Sequence, residues 1–339
     1  MTYKRIAFTA PCKAELENYE LGNPKENQVQ VKLVCSTISS GTERANLTGS
    51  KSVDISRPET KEAIFPRYAG YSSSGIVTAV GEGVTDLRPG DRVVLGGSSH
   101  SQYLNMDRGS VQLLPDVVSF QDAAMFYIAT FPLAAIRKCR LELGESAVVM
   151  GLGVLGLAAV KLLKQAGAVP VIAVDPVSEK REKALQCGAD FALDPMNADF
   201  AKTVKALTGG GARVGIEVTG IGAGLDGILD CMARFGRVAL LGCTRDKEFT
   251  IDYYRKVHGP GITLIGAHTA ARPGSESHSG WWTQKDDMQA LVKLHEMNRI
   301  RLGDMVDEVH SPVEAPAVYD RLAREKAFPI VQFDWRQME

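Results

Sequence analysis

Long apolar runs are missing from this sequence. No stretch of its 339 residues approaches the roughly 20 consecutive apolar residues of a membrane span, and the first residues show no apolar run typical of a secretion signal. An excess of one charge is also missing, since 39 Lys and Arg stand against 40 Asp and Glu. Without a broad positive field, a nucleic-acid partner is not expected. These absences predict a cytoplasmic protein that binds neither a membrane nor a nucleic acid.

Cysteine is the second scarcity. Six cysteines stand singly, without a CxxC pair, so neither a disulfide framework nor a structural zinc cluster is indicated. Internal repeats and low-complexity segments are absent as well. A chain of 339 residues with this composition is expected to fold as two ordinary globular domains.

One glycine-rich turn carries a specific signal. The apolar run 147–150 leads into Gly151-x-Gly153-x-x-Gly156, and an apolar helical run follows. In a dinucleotide-binding βαβ unit, the first glycine allows the tight turn, the second lets the backbone approach a pyrophosphate, and the third lets the helix pack on the strand. The N–H groups at the start of the helix, at Val154 and Leu155, then face the phosphates. The pattern predicts a dinucleotide site.

An acidic residue, Asp175, ends the next apolar run, 169–174, at about 20 residues beyond the turn. A carboxylate at this place accepts hydrogen bonds from the adenosine ribose hydroxyls and repels the 2′-phosphate of NADP. No arginine follows directly, since residues 176–179 intervene before Lys180 and Arg181. NAD(H) is therefore favoured over NADP(H). The alternative is that Asp175 is only a solvated residue at the end of a strand.

Hydrophobic periodicity predicts an α/β fold class: a doubly wound parallel Rossmann sheet plus a β-rich domain. Up to about residue 119, short strands such as 28–35 alternate apolar and polar residues between Gly and Pro turns. Beyond it, strands and helices alternate, which is typical of a parallel sheet. The first helix of this part, 121–140, contains Pro132, which is expected to kink or divide it.

The last part of the chain is mixed and is expected to rejoin the first domain. We predict a helix over 283–298, a strand over 305–309, a capping box at Ser311 to Glu314 and a final strand over 328–333. The β-rich domain would then comprise 1–126 and 268–339, and the Rossmann domain 127–267.

Two segments in this order resemble the medium-chain dehydrogenase/reductase superfamily, the alcohol dehydrogenase-like proteins. The first runs from Pro66-Arg-Tyr-Ala-Gly70-x4-Gly75 to Gly90-Asp-Arg-Val93, and the second is Gly144-Glu-x-Ala-Val-Val-Met-Gly-Leu-Gly-x-x-Gly156. The resemblance implies a GroES-like catalytic domain beside the Rossmann domain. It also implies hydride transfer between a nicotinamide and a small-molecule substrate.

The chain departs from zinc-dependent members at the ligand positions. The resemblance aligns a serine, Ser39 or Ser40, with the first cysteine ligand, Tyr71 with the histidine and Tyr127 with the third ligand. Hydroxyls are poor Zn²⁺ ligands beside thiolate, imidazole or carboxylate. The four-cysteine lobe expected after Val93 is missing too. We expect no zinc, as in the quinone-reductase-like branch, with a local likeness at 38–43 to bacteriochlorophyllide hydroxyethyl dehydrogenases.

Without zinc, side chains must move the substrate proton. Tyr71 and Tyr127 are suited to hydrogen-bond a substrate oxygen, although free tyrosine, with a pKa of about 10, is no base near neutrality without a nearby cation. Ser40 is a further candidate catalytic residue beside these two tyrosines. The family's proton-relay segment adds Thr42 and Glu43.

Glu43 has two open roles: acting on substrate hydroxyls, or pairing structurally with Arg44 or Arg67. Two histidines are further candidates, although lone histidines are more often structural. His268 is the better one because the ordinary histidine pKa suits proton transfer at physiological pH. His100 is the weaker one.

Further cofactor contacts follow from the resemblance. Lys180 would cover the adenosine, Thr219 would lie on the adenine side, and later strand ends would contact the nicotinamide. These strand-end positions are Leu241, Gly242, Gly266 and Ala267. The adjacent Trp281 and Trp282 end a polar segment that would line a cleft, contact another subunit or simply pack.

Three functions stay open. The first is an NAD-dependent dehydrogenase of a secondary alcohol on a cyclic or sugar-like molecule. The second is a zinc-free quinone or enoyl reductase, which usually takes NADPH. The third is a nucleotide-binding sensor that has lost its chemistry. A homo-oligomer, dimer or tetramer, is expected, with the edge strand 262–265 pairing across a two-fold axis.

Overall fold

The computed structural model describes residues 2–51, 62–244 and 248–338. The chain divides into two compact units, 1–128 with 292–339, and 129–291. In the described residues, no helix is long and apolar enough to cross a membrane.

The strands follow one another along the chain as β1 (Thr2–Ala10), β2 (Lys13–Glu20), β3 (Gln28–Thr37), β4 (Arg67–Tyr68), β5 (Ser72–Val80), β6 (Arg92–Gly96), β7 (Tyr103–Asp107), β8 (Val111–Leu113), β9 (Ala147–Met150), β10 (Val171–Val174), β11 (Phe191–Leu193), β12 (Ala212–Glu217), β13 (Met232–Leu240), β14 (Thr263–Gly266), β15 (Glu308–His310) and β16 (Val331–Asp334).

The α-helices are α1 (Ser40–Leu47), α2 (Phe120–Lys138), α3 (Val154–Gln165), α4 (Ser178–Gln186), α5 (Phe200–Leu207), α6 (Gly222–Asp230), α7 (Gln284–Glu296) and α8 (Ala315–Arg324). Short 3₁₀ turns connect several elements, and a π-helical turn covers Tyr254–His258.

The first unit is a β-rich body. One sheet has the order β2-β1-β4, and the other has the order β15-β16-β3-β5-β6-β8, with β7 also paired to β3. The last strand, β16, runs antiparallel to β3, with Asp334 opposite Cys35. Aromatic and aliphatic side chains from both ends of the chain fill its core, among them Phe8, Tyr319 and Trp335. The end of the chain is thus an integral part of this unit.

The second unit is a doubly wound parallel sheet. Its strand order is β11-β10-β9-β12-β13-β14, and every neighbouring pair is parallel. Counted from β9 as the first strand, this is the 3-2-1-4-5-6 order of dinucleotide-binding sheets, in which ligands bind beyond the carboxyl ends of the strands where the order reverses. The predicted fold class is confirmed.

Pro132 does not divide α2, so of the two predicted effects, a kink or a division, the division is wrong. The helix is continuous from Phe120 to Lys138. Almost all of its residues are buried, and its carbonyls also accept side-chain donors, such as Thr37 Oγ1 on the Ala124 oxygen at 2.8 Å. Tertiary burial therefore outweighs the roughly 3 kcal/mol that an internal proline costs a helix.

Other differences are local. The second boundary lies at 291/292 rather than 267/268, because Arg272 and Asp287 bond within the second unit, to the Thr130 oxygen and to Arg137. The predicted strand 305–309 is shortened to β15, since a 3₁₀ turn covers Gly303–Met305. At Ser311, the predicted cap is present: the backbone N–H donates to Glu314 Oε2 at 2.9 Å.

Candidate active site

The glycine turn of the second unit has the geometry that its three glycines predict. Gly151 has φ +97°, and a Cβ there would lie 2.9 Å from Thr219 Cγ2. A Cβ on Gly156 would lie 1.9 Å from the Gly151 oxygen, so only glycine lets α3 pack against the turn. At Gly153, in contrast, a Cβ would meet no described atom within 4 Å. The open side of the turn is therefore at the glycine that should face a pyrophosphate.

The start of α3 is available to an anion. Gly153 precedes Val154 and Leu155, and no described side chain caps this end of the helix. The first N–H groups of a helix need partners, and together with the helix dipole they favour a negatively charged one. The turn therefore fits the pyrophosphate of a dinucleotide.

Asp175 is buried beside this turn, with 6% of its surface exposed. Its Oδ2 accepts the Leu152 N–H at 2.8 Å, and its Oδ1 accepts the Val177 N–H at 2.9 Å. The alternative of a solvated strand-end residue is therefore wrong. A carboxylate has about four acceptor sites, so the two bonds fix its orientation and leave capacity for ribose hydroxyls.

A second buried carboxylate, Glu217, organises the next strand end and was missed by the sequence reasoning. It ends β12 with 3% exposure. Its Oε1 accepts the Thr219 N–H at 2.7 Å and the Thr219 hydroxyl, and both oxygens lie 3.2 Å from the Gly220 nitrogen. Burial raises the pKa of Glu217 above its ordinary value. The available signal was an acid at the end of an apolar run, directly before Val-Thr-Gly.

The later strand ends continue the same edge of the sheet. A Cβ on Gly242 would lie 2.4 Å from the Gly220 nitrogen, so the loops after β12 and β13 touch through backbone. Leu241 and Ala267 are buried, and the Ala267 N–H donates to the Leu240 oxygen at 3.1 Å. Lys180 lies on α4, just before Arg181. The predicted cofactor residues thus share the carboxyl edge of one sheet.

His268 is less suited to act as a base than predicted. It is half-buried after β14, and its Nδ1 accepts the Ala270 N–H at 3.1 Å. In the neutral ring the proton therefore sits on Nε2, which makes that nitrogen a donor. To take a proton, His268 would have to give up the bond to Ala270.

The two tryptophans pack within the second unit. The Arg137 guanidinium lies 3.6 Å from the Trp282 ring centre, and Lys138 Nζ lies 4.7 Å from that of Trp281. Lys138 Nζ also donates to the Gly266 oxygen at 3.1 Å. Burial, with Arg272 nearby, lowers the pKa of Lys138 to about 8. Trp281 therefore contacts the same ammonium group that bonds the strand end at Gly266.

In the first unit, the residues at the ligand positions of the zinc enzymes come together. The Tyr71 hydroxyl donates to Ser39 Oγ, and the rings of Tyr71 and Tyr127 are 5.7 Å apart. Gly96 makes room for Tyr127, because a Cβ there would lie 2.4 Å from ring carbons of Tyr127. Of the two serines left open in the sequence, Ser39 is the one bonded to Tyr71, and Ser40 is the first residue of α1. We call Ser39, Tyr71 and Tyr127 the hydroxyl cluster.

Glu43 lies behind this cluster with 1% exposure and has neither of its two predicted roles. Its Oε1 accepts the Ser39 N–H at 2.8 Å, and its Oε2 accepts the Tyr319 hydroxyl at 2.5 Å. Arg44 and Arg67 donate to backbone oxygens instead. Since Glu43 is buried and occupied, it positions Ser39 and does not reach a substrate. Thr42, next to it on α1, is half-buried.

His100 is the third partner of Glu43 and is fully buried, so it is not a solvent-facing base. Its Nε2 lies 3.1 Å from Glu43 Oε2 and its Nδ1 lies 2.8 Å from Ser36 Oγ. The Trp335 indole, which can only donate, bonds Ser36 Oγ at 2.9 Å. Because a carboxylate only accepts, Nε2–H donates to Glu43. Ser36 Oγ thus links the indole of Trp335 to the imidazole, and the imidazole links Ser36 to Glu43.

The donor set does not fit zinc. In the described residues no group of three or more His, Cys, Asp or Glu side chains is arranged to hold a metal ion. The hydroxyl cluster offers three neutral oxygens, and the Tyr71 hydroxyl is already bonded to Ser39. Zn²⁺ prefers thiolate, imidazole or carboxylate ligands.

Comparison with known proteins agrees with both units. The alcohol dehydrogenase GroES-like domain family matches residues 25–125, and the zinc-binding dehydrogenase family matches residues 154–278. D-guloside 3-dehydrogenase of Escherichia coli (strain K12) is 26% identical over 333 residues, which cover 93% of this chain and 95% of the relative.

Solved structures share the fold. An alcohol dehydrogenase of Escherichia coli CFT073 complexed with NADH has a TM-score of 0.82 at 17% identity. A zinc-binding dehydrogenase of Sinorhizobium meliloti 1021 bound to NADP has a TM-score of 0.80 at 20% identity. In each case 98% of this chain and 99% of the other are covered.

The fold and the two matched domains define an alcohol dehydrogenase-like protein. Both matched families and the dehydrogenase relatives support the medium-chain dehydrogenase/reductase superfamily. The name of the second matched family points to zinc, whereas the residues at the ligand positions do not. The zinc-free branch and the likeness to bacteriochlorophyllide dehydrogenases stay predictions.

The open side of the glycine turn can be tested with Gly153→Ala. The change is expected to leave the melting temperature within a few degrees, since the added Cβ has space. The dissociation constant for NADH should rise about tenfold or more, because the Cβ stands where the pyrophosphate approaches. Fluorescence titration with NADH measures this. Gly109→Ala, at another open glycine, is the matched control; equal NADH affinities in both variants would contradict this geometry.

The positioning role of Glu43 can be tested through stability. Glu43→Gln cannot accept all three donors, so the free energy of unfolding should fall by about 1–3 kcal/mol. Urea denaturation measures this. Glu82→Gln, at an exposed carboxylate of the same unit, should change it by less than about 0.5 kcal/mol. If Glu43→Gln lowers the free energy of unfolding no more than Glu82→Gln does, the hydrogen bonds of Glu43 add nothing to stability.

Proposed function

We propose that this chain is an NAD(H)-dependent oxidoreductase that works without zinc and transfers a hydride between the cofactor and a secondary alcohol or ketone. The substrate is a cyclic or sugar-like molecule. The observation that carries the proposal is the hydroxyl cluster: three bonded or neighbouring hydroxyls, Ser39, Tyr71 and Tyr127, replace the ligands of a catalytic metal in an otherwise complete fold.

Asp175 supports NAD(H) as the cofactor. It is buried at the carboxyl end of β10 and held by the Leu152 N–H at 2.8 Å, so its charge is fixed beside the expected adenosine ribose. Solved structures of this fold hold either NADH or NADP, so the fold alone does not choose. The buried carboxylate of Asp175 is what supports NAD(H) in this proposal.

The sugar-like substrate is supported by a relative. D-guloside 3-dehydrogenase matches 93% of this chain, and its name describes oxidation of a secondary hydroxyl on a sugar ring. Neutral hydroxyls such as those of Tyr71 and Ser39 are suited to hydrogen-bond the several hydroxyls of such a ring.

In this proposal each unit has a separate task. The bound nicotinamide supplies or accepts the hydride. The glycine turn and Asp175 bind and orient the cofactor through its pyrophosphate and ribose. The Tyr71 hydroxyl, which donates to Ser39 Oγ in the structure, turns to donate to the substrate oxygen when substrate binds. Glu43 holds Ser39 beside it through the Ser39 N–H.

Tyr71 is the proposed proton donor in ketone reduction. As the carbonyl carbon gains the hydride, the O–H bond of Tyr71 breaks and a new O–H bond forms on the substrate oxygen. Ser39 then turns its hydroxyl toward the phenolate that is left and stabilises it. Oxidation of the alcohol runs the same steps in reverse, so protons and electrons balance.

The proposal is tested by a screen of secondary alcohols, cyclitols, sugars and glycosides with NAD⁺, recorded by the absorbance of the reduced cofactor. We expect turnover of a cyclic polyol or glycoside that survives a chelator, in protein with less than stoichiometric zinc. Stoichiometric, activity-linked zinc would overturn the mechanism. Consumption of reduced cofactor with quinones or enones alone would favour a reductase. No reaction in either the oxidising or the reducing direction would favour a nucleotide-binding sensor.

Tyr71→Phe tests the proton donor. With a responding substrate, kcat should fall by about 10²–10⁴-fold, while the affinity for NADH should stay within about twofold. Tyr254→Phe, at a 71% exposed tyrosine, should keep full activity. Comparable kcat values for both variants would assign the proton to another group.

We also propose that the chain forms a homo-oligomer through β14. Within the described strands β14 pairs only with β13, and Thr263, Leu264 and Gly266 on it are exposed. A second copy would cover this edge, which would otherwise present unpaired N–H and C=O groups.

Light scattering tests this assembly. The wild-type mass should be a multiple of 36.6 kDa. Leu264→Lys should give the monomer, because a charge at a buried edge disfavours pairing. Thr208→Lys, on a different face at the end of α5, is the control. A wild-type monomer would disprove the assembly.

A further inference from the structure

Arg181 lies at the acidic end of β10, although the sequence separates it from Asp175. On α4, its guanidinium donates from Nη1 to the backbone oxygen of Asp175 at 2.8 Å. The same nitrogen lies 3.4 Å from Asp194 Oδ2. The side chains of Arg181 and Asp194 keep exposures of 22% and 38%. A cation is therefore present at the strand end where the ribose of the cofactor is expected.

Asp194 is the neighbour of Asp175 across the sheet. Strands β10 and β11 are parallel with Val174 opposite Leu193, so the next residue of each strand is one of the two acids. The Asp175 N–H donates to the Leu193 oxygen at 3.3 Å. Two carboxylates and one guanidinium thus share this edge, and their formal charges sum to −1.

An arginine at this place is the usual means of accepting the 2′-phosphate of NADP, because a guanidinium binds phosphate oxygens in pairs. In this chain, however, Arg181 is drawn to Asp194 and to the backbone of Asp175. The charge of Arg181 is offset by Asp194, and the charge of Asp175 remains in excess. These three groups together would present a net negative charge to a 2′-phosphate.

We propose that Asp194 is a specificity-determining residue for the cofactor, acting together with Asp175. By pairing with Arg181, it keeps the guanidinium from a 2′-phosphate and adds the second negative charge that repels it. The inference rests on the proposed function, in which the carboxyl end of β10 binds the adenosine ribose. It assigns the rejection of NADP(H) to a pair of acids on adjacent strands.

Removing the charge of Asp194 should free the Arg181 guanidinium to bind a 2′-phosphate. In Asp194→Asn the formal charge of the edge becomes zero, and Arg181 loses its acidic partner. Asp175 keeps its bonds to Leu152 and Val177, so it should still bind the ribose hydroxyls of NADH. The double variant Asp175→Ser with Asp194→Asn leaves a net positive edge.

The test is fluorescence titration of the purified full chain with NADH and with NADPH. Wild type should bind NADH more tightly. Asp194→Asn should gain about fivefold or more in NADPH affinity and keep NADH affinity within about twofold. Adding Arg181→Gln to Asp194→Asn should remove the gain, because the gain depends on the guanidinium. The double acid variant should prefer NADPH.

Glu182→Gln is the matched control, since it removes one exposed negative charge on the same helix α4. It should leave the ratio of the two affinities unchanged. Melting temperatures equal to wild type show that each variant is folded. NADPH affinity that stays unchanged in Asp194→Asn, with NADH binding intact, overturns the inference and leaves the proposed function standing. Wild-type protein that binds no NADH, or prefers NADPH, overturns the proposed cofactor itself.

Discussion

A carboxylate that leaves water must find hydrogen-bond donors, and this constraint shapes both units. In the second unit, Asp175 and Glu217 lie at the carboxyl ends of β10 and β12, the two strands on either side of β9. Each accepts backbone N–H groups of the adjoining loops. In the first unit, Glu43 accepts donors from its own helix start, from His100 and from Tyr319. Each buried acid therefore fixes the backbone around it, and the candidate functional groups lie on that backbone.

Sequence reasoning succeeded where the signal is local. The glycine turn was predictable because its three glycines act within six residues, and the parallel sheet follows from the alternation of strands and helices along the chain. The same reasoning missed the Glu43 network, because its partners His100 and Tyr319 are 57 and 276 positions away. It also left open that Pro132 would divide α2, since local propensity does not register how deeply that helix is buried.

The hydroxyl cluster is the basis on which our zinc-free proposal departs from the name of the matched family. The matched zinc-binding dehydrogenase family covers 154–278, a stretch that lies in the second unit, whereas Ser39, Tyr71 and Tyr127 belong to the first. The name that mentions zinc thus belongs to a match outside those positions, whereas the alcohol dehydrogenase GroES-like match, 25–125, covers Ser39 and Tyr71. In our proposal the hydroxyls take over the stabilisation of the substrate oxygen, and a neutral hydroxyl does this by a hydrogen bond where a metal would act as a Lewis acid.

In our proposal, the cofactor preference of this chain is a property of a sheet edge and not of one acid. Asp175 alone suggests NAD(H), and Arg181 alone would suggest a phosphate site. Only the register of β10 and β11, which makes Asp194 the neighbour of Asp175, shows how the two signals combine. The charges of Arg181 and Asp194 largely cancel because they lie a few ångströms apart. The charge of Asp175 then decides the sign of the field that a 2′-phosphate meets. The glycine turn selects a dinucleotide, and in our proposal the acids beside it select which one.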